Sequence, residues 1–159
     1  MQETTIKKYR YTGPLGNIYC MFEGELLVKV YIADRKELSV IDNKALLTNS
    51  HHFLEELEAY FKGKLKRFMQ EIKFTKGTAF EQRVWLALKE IPYGETRTYK
   101  WIAERAGSPG AVRAAGQALK KNPLPIILPC HRVIASDGSI GGFACGIEIK
   151  KWLLMHERS

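Results

Sequence analysis

The sequence predicts a mixed α/β (α+β) protein in two parts, a small N-terminal α/β domain over residues 1–73 and a mainly helical C-terminal domain with a helix-turn-helix over residues 74–159. Three observations lead there. The first third alternates apolar and polar residues between glycine-containing turns, the period of antiparallel strands. Beyond Thr78 the apolar residues recur mostly at helical spacing. Two short helical stretches then stand in tandem around Gly107, which is the helix-turn-helix pattern.

Taken in order, strands are expected over Ile6 to Thr12, Asn17 to Phe22 and Leu26 to Ala33, separated by Gly13-Pro14-Leu15-Gly16 and Glu23-Gly24 turns. Ser50 is a suitable N-cap for a helix through Phe61 that ends at Gly63, with Phe53, Leu54, Leu57, Tyr60 and Phe61 on one face. His51 and His52, on its first turn, read as solvated surface histidines. With Cys20 as the one nearby thiol they make no zinc set, so no metal site is expected. Glu71 to Gly77 reads as the link to the second domain. Thr78 caps a helix carrying Phe80, Val84, Trp85 and Leu88, which stops near Ile91 before the Pro92-Tyr93-Gly94 turn. Thr98 caps a helix from Tyr99 to Ala106, Gly107 breaks it, and Ser108-Pro109 offers a cap with proline at the first position of a helix to about Lys121. A last helix, Glu148 to Glu157, would place Ile149, Trp152, Leu153 and His156 on one stripe, with His156 a satisfied core histidine. By composition alone Glu157 is a solvated helix-end charge.

A chain of 159 residues with 45% hydrophobic and 26% charged residues is globular rather than disordered. Its polar, basic first residues and short apolar runs indicate neither secretion nor membrane insertion. Three cysteines, Cys20, Cys130 and Cys145, in no paired spacing fit a reducing compartment rather than a disulfide framework. The net charge of +8 favours an acidic partner, nucleic acid first. Up to Lys76 there are 13 basic and 10 acidic residues, net +3, and after it 12 and 7, net +5, so the bias leans toward the C-terminal half.

That half contains the most reactive-looking stretch. Cys130, His131 and Arg132 put a thiol, an imidazole and a guanidinium on consecutive residues. A nearby cation favours the thiolate, lowering a pKa that is about 8.5 in a free cysteine, and a histidine can take the proton. In an extended strand Cys130 and His131 would point to opposite faces, so a bridging water or a local turn is needed. Glu148, Glu157 or Asn122 could orient the histidine. Upstream, Gly110, Ala111, Val112, Ala114, Ala115 and Gly116 surround a single long cation, Arg113, with Lys120 and Lys121 at the helix end. Small residues permit either tight helix packing or close approach to a nucleic-acid groove, and the basic charge favours the groove.

Pro129-Cys130-His131-Arg132-Val133, preceded by Gly116-Gln117-Ala118-Leu119 and Asn122-Pro123-Leu124-Pro125-Ile126 and followed by the glycine loop Gly141-Gly142-Phe143-Ala144-Cys145-Gly146 and by Lys151-Trp152-Leu153-Leu154, resembles the O6-alkylguanine-DNA alkyltransferase family. The resemblance runs from Phe80 to Glu157 and is general before that. It implies a ribonuclease-H-like N-terminal domain, a winged-helix-like C-terminal domain, and a monomer that binds double-stranded DNA containing O6-alkylguanine through the minor groove. It further implies irreversible, single-turnover transfer of the alkyl group from O6 of guanine, or O4 of thymine, to Cys130, with no cofactor, in the cytoplasm or a eukaryotic nucleus. By resemblance, His131 deprotonates Cys130 through a water, Glu157 orients His131, and Asn122 holds the active-site backbone. Tyr99 pushes the target phosphate and donates to the guanine, and Arg113 fills the gap left in the base stack. The implied DNA contacts are Thr98, Tyr99, Ala111, Arg113, Ala114, Gly116, Arg132 and Ser136. The implied base pocket is Tyr99, Leu119, Pro125, Val133, Ile140, Phe143, Ala144 and Cys145.

The chain departs from the family where a tyrosine-serine-glycine run is common and Phe143-Ala144-Cys145 stands instead, leaving fewer side-chain hydrogen bonds to the base. Cys145 is either an inert loop residue or a restriction on bulky O6 adducts. Two other functions compete. A non-enzymatic binder of alkylated DNA would share the fold but lack the acceptor, and Cys130 is present. A cysteine hydrolase would need an oxyanion hole and a better-placed histidine.

Overall fold

The structure is a computed structural model, and it describes residues 6–33, 51–143 and 145–159. The chain divides into two compact units, residues 1–75 and 76–159.

In the first unit, strands β1 (Ile6–Gly13), β2 (Gly16–Glu23) and β3 (Leu26–Ala33) form an antiparallel sheet in that order. Tyr9, Tyr11, Ile18, Cys20, Phe22, Val28 and Val30 are buried in it. Helix α1 (His52–Phe61) packs on this sheet through Phe53, Leu57 and Tyr60. The Tyr11 hydroxyl donates to Glu58 on that helix at 2.6 Å. Three expectations are corrected here. The cap of α1 is His51, whose Nδ1 accepts the Phe53 N–H at 3.0 Å, whereas Ser50 lies outside the described residues. His51 is therefore no free surface histidine: its ring lies 4.1 Å from that of Phe22 and 5.1 Å from that of Tyr9. The expected link is also partly sheet. Leu27 donates to Glu71 O and accepts from Lys73 N, each at 3.0 Å, so residues 71–73 extend the edge of β3.

The second unit is mainly helical. Helix α2 (Ala79–Leu88) begins with a reciprocal cap in which Thr78 Oγ1 accepts from Glu81 N and Glu81 Oε1 accepts from Thr78 N. Strand β4 (Arg97–Thr98) leads into α3 (Tyr99–Arg105), capped by Thr98 as expected, and α4 (Val112–Lys120) follows. The start of α4 corrects the sequence reading. Residues 108–111 form a turn, with Ala111 N donating to Ser108 O, so Ser108-Pro109 opens the turn and not the helix. The buried Trp85 indole ties α2 to α4 by donating to Ala118 O at 2.8 Å. Strand β5 (Val133–Ile134) pairs in parallel with β4, Arg97 opposite Val133.

Helix α5 (Ile147–Arg158) closes the unit, and its inward face is not the predicted one. The buried residues are Lys150, Leu153, Leu154 and Glu157, one residue round from the expected stripe. Trp152 and His156 are half-buried and stack on one another with centroids 4.9 Å apart. An apolar pair flanked at i−3 and i+3 by charges has been turned inward, because both charges find partners there. No described helix is long and apolar enough to cross a membrane.

Candidate active site

Between α4 and β5 the chain runs through Pro123 to Pro129, all buried, into one 3-10 turn, Cys130–Arg132. Asn122 holds this run: its Oδ1 accepts from Leu124 N and its Nδ2 donates to Leu128 O, both at 2.9 Å. Ile126 sits at φ 76°, a left-handed conformation that is costly for a β-branched residue.

The 3-10 turn is the local bend that an extended strand lacks. At three residues per turn, successive side chains leave it about 120° apart. Cys130 thereby lines a cleft of about 310 Å³ together with Tyr99, Arg113, Gly116, Gln117, Leu119, Lys120, Gly141, Gly142 and Phe143. His131 and Arg132 point into the protein instead, and both are buried.

Behind the cysteine lies a closed network centred on Glu157. Its Oε2 accepts from His131 Nε2 at 2.7 Å and from Arg132 Nη2 at 3.0 Å, and its Oε1 accepts from Arg132 Nε at 2.8 Å and from Gly94 N at 3.2 Å. Arg132 Nη1 donates to Ile91 O at 2.7 Å, and the guanidinium lies 5.7 Å from the Tyr93 ring centroid. Gly94, at φ 80°, suits the turn that offers this N–H, where a Cβ would stand 3.2 Å from Glu157 O. Because a carboxylate only accepts, His131 carries its proton on Nε2, which leaves Nδ1 as the basic atom. Nδ1 is buried and has no hydrogen-bond partner among the described residues.

Two readings of the motif are corrected. Arg132 was expected to assist the thiol and to contact DNA; it is only 7% exposed and its guanidinium is committed to Glu157 and Ile91 O. The thiol is not a resting thiolate either. Burial pushes the Cys130 pKa up to about 11, against the pull of Asn122, of the Lys150 charge and of the Cys130 and His131 backbone N–H groups. The cation near the sulfur is thus Lys150, which the sequence reading missed. It is fully buried, donates to Val133 O at 2.6 Å and Gly142 O at 3.1 Å, and its pKa falls to about 8 chiefly through burial. Its position three residues before Leu153 and seven before Glu157 was the available signal. Burial lowers the His131 pKa, aided by Arg132 and Lys150 and opposed by Glu157. Glu157 itself is held well below the usual carboxylate range by His131 and Arg132, which overcome the cost of burial.

The other expected residues divide clearly. Tyr99, Leu119 and Phe143 line the cleft, Pro125 and Val133 are buried and not on its lining, and Ile140 and Cys145 are half-buried and off its lining. Ala144 lies outside the described residues. Tyr99 packs against Gly141, at φ 74°, where a Cβ would come within 2.6 Å of the phenol oxygen. On α4, Arg113, Ala114, Gln117 and Lys120 are exposed while Ala115, Ala118 and Leu119 are buried, so the small residues serve packing on one face and leave a shallow outer face on the other. Ala111 and Gly116 are half-buried on the same helix region, Thr98 is committed to its cap, and Ser136 is exposed on a separate turn. Among the described residues no group of three or more His, Cys, Asp or Glu side chains is arranged to hold a metal ion.

Comparison with known proteins places the chain in a family. The family model for the DNA binding domain of 6-O-methylguanine DNA methyltransferase matches residues 79–159. A methylated-DNA–protein-cysteine methyltransferase of Methanosarcina acetivorans is 45% identical over 154 residues, covering 94% of this chain and 96% of the relative. The constitutive enzyme of that name from Bacillus subtilis is 40% identical, covering 91% of each. Among solved structures, Mycobacterium tuberculosis OGT in complex with DNA superposes with a TM-score of 0.84 at 37% identity, covering 96% of this chain and 92% of that one. The O6-methylguanine-DNA methyltransferase of Pyrococcus kodakaraensis gives 0.74 at 27% identity, covering 98% and all of it respectively.

Proposed function

Since the chain belongs to the 6-O-methylguanine DNA methyltransferase family, we infer that it repairs DNA by moving a methyl group from O6 of guanine onto its own Cys130. The observation that carries the assignment to Cys130 is its place on the cleft, with the His131–Glu157–Arg132 chain directly behind it. O6 of a paired guanine lies inside the duplex, so the nucleotide must leave the stack to meet the sulfur. Arg113, exposed on α4 at the rim of the same cleft, occupies the space left in the stack, and the shallow outer face of α4 enters the minor groove. The C-terminal unit carries the DNA-binding and transfer chemistry, acting as a monomer in the cytoplasm.

The step balances without a cofactor. The Cys130 proton passes to His131 Nδ1 through a bridging water, and the thiolate attacks the methyl carbon. The S–C bond forms as the O–C bond breaks, and the electron pair stays on guanine, which is reprotonated on the ring. Burial pushes the Cys130 pKa up to about 11, which favours the thiol in the free protein, so ionisation is coupled to substrate rather than stored. Asn122 and Lys150 stabilise the developing sulfur charge, and Lys150 also fixes the Gly142 carbonyl at the cleft wall. The product is a thioether that water does not cleave, so each molecule acts once.

The test is mass spectrometry after incubation with a duplex containing O6-methylguanine. The expected result is one methyl on the Cys130 peptide in the parent and none in Cys130→Ala. Demethylated DNA with an unmodified protein would overturn the reading, and bound DNA without demethylation would favour the binder.

A further inference from the structure

We propose that Arg132 is a positioning residue for the transfer: its guanidinium neutralises Glu157 inside the fold, so that Glu157 orients His131 without converting it to an imidazolium. The inference rests on the transfer reading above. A general base must arrive unprotonated. A carboxylate hydrogen-bonded to an imidazole works against that, because the neighbouring negative charge favours the protonated ring. Here the carboxylate already has a permanent partner. Arg132 grips it through both Nε and Nη2, one bond to each oxygen, at 2.8 and 3.0 Å. The guanidinium is itself fixed by Ile91 O and the Tyr93 ring. Since arginine does not lose its proton in proteins, this compensation holds at every working pH.

The charged groups acting on His131 are then few: Glu157 and Lys150 from α5, Arg132 from its own turn and, beside them, the Cys130 thiol. Two cations oppose one anion, and burial acts with the cations. The result is a neutral imidazole with Nε2–H given to Glu157 and Nδ1 open. A lysine at 132 could supply the charge but not the two-pronged grip.

Two measurements test this. In the free parent protein, ring nitrogen chemical shifts of His131 followed from about pH 5 to 8 should show a neutral Nε2–H tautomer at neutral pH. An imidazolium there would overturn the proposal. Single-turnover methyl transfer from an O6-methylguanine duplex should then be profiled against pH for the parent, Arg132→Met and Arg132→Lys. Loss of the charge should move the acid limb of the profile upward by about one pH unit or more, a tenfold change in proton affinity, with Arg132→Lys between the two. A limb that stays in place while the rate falls uniformly would reduce Arg132 to a structural strut and refute the inference. Should Arg132→Met fail to fold, Arg132→Lys against the parent carries the comparison, and an unmoved acid limb there refutes the inference. If the parent puts no methyl on Cys130, the transfer reading fails, whereas the His131 titration stands as a separate result.

Discussion

Replacing Glu157 by Gln isolates what the buried carboxylate contributes. The carboxylate accepts four hydrogen bonds, two from Arg132 and one each from His131 and Gly94. A glutamine of the same shape offers one acceptor oxygen and one donor NH2. With the oxygen toward His131, the NH2 meets the Arg132 Nε–H and the Gly94 N–H; reversed, it meets His131 Nε2–H and Arg132 Nη2. Either way donors face donors and the Arg132 charge stays buried without its counterion. Breaking a buried pair on one side costs about 3–5 kcal/mol, a large share of a domain stability of about 5–15 kcal/mol. With urea m-values of about 1–3 kcal/mol/M, the midpoint should fall by more than about 1 M. All three tryptophans, Trp85, Trp101 and Trp152, lie in the second unit, so their fluorescence follows that unit's unfolding.

The same variant fixes the pH dependence. Glu157 has a lower pKa folded than unfolded, so its contribution is complete above the unfolded value, about 4.3, and disappears as pH falls through the folded one. The stability gap between parent and Glu157→Gln should therefore be constant near neutrality and shrink only in strong acid. A double change, Arg132→Met with Glu157→Gln, should lose less than the sum of the two single changes, because the orphaned charge goes too. A gap below about 1 kcal/mol at neutral pH, or one that persists undiminished in acid, would refute the reasoning.

Reaction of the free protein with iodoacetamide should accelerate at Cys130 up to pH near 11 instead of levelling off near 9, followed by mapping the modified peptide. Lys150→Met should slow that reaction at any fixed pH below the plateau and abolish methyl transfer. It should also cost about 1–3 kcal/mol for the buried Val133 carbonyl that loses this donor, read by urea unfolding, whereas Gly142 O keeps the Tyr99 hydroxyl. Arg113→Ala, at an exposed site, should change stability by less than about 0.5 kcal/mol yet slow transfer from a methylated duplex far more than transfer from the free methylated base, compared by single-turnover assay. Gly141→Ala should displace Tyr99 from the cleft wall and slow transfer from both, because its Cβ would come within 2.6 Å of the phenol oxygen at a φ of 74°.

Adjacency along the chain and direction in space explain which parts of this site could be read in advance. Cys130, His131 and Arg132 stand out because they are consecutive, but a 3-10 turn sends the three side chains to different places, and no spacing rule announces such a turn. The sequence reading therefore singled out all three residues but did not foresee that Arg132 pairs with Glu157. The strands of β1 to β3 and the caps at Thr78 and Thr98 were legible because each is decided within a few residues, by pleat period or by one hydroxyl and one N–H. Where α4 begins was not, since Ser108-Pro109 is equally good chemistry for a turn as for a helix start, and here it opens a turn.

Helix α5 shows why the deepest part of the site was hardest to see. An amphipathic reading sends charges outward, so Glu157 looked like a solvated helix-end charge and Lys150 was not singled out. They are buried because each meets groups that no local window contains: Val133 O and Gly142 O for the lysine, His131, Arg132 and Gly94 N–H for the glutamate. Desolvating both is unfavourable unless all of those partners are in place. The helix face can then turn inward only in a fold that has already assembled the 3-10 turn, the Pro92–Gly94 turn and the glycine loop. A charge pair at seven-residue spacing around two buried leucines thus marks a helix that depends on its site for its packing, and the site depends on the helix for its base.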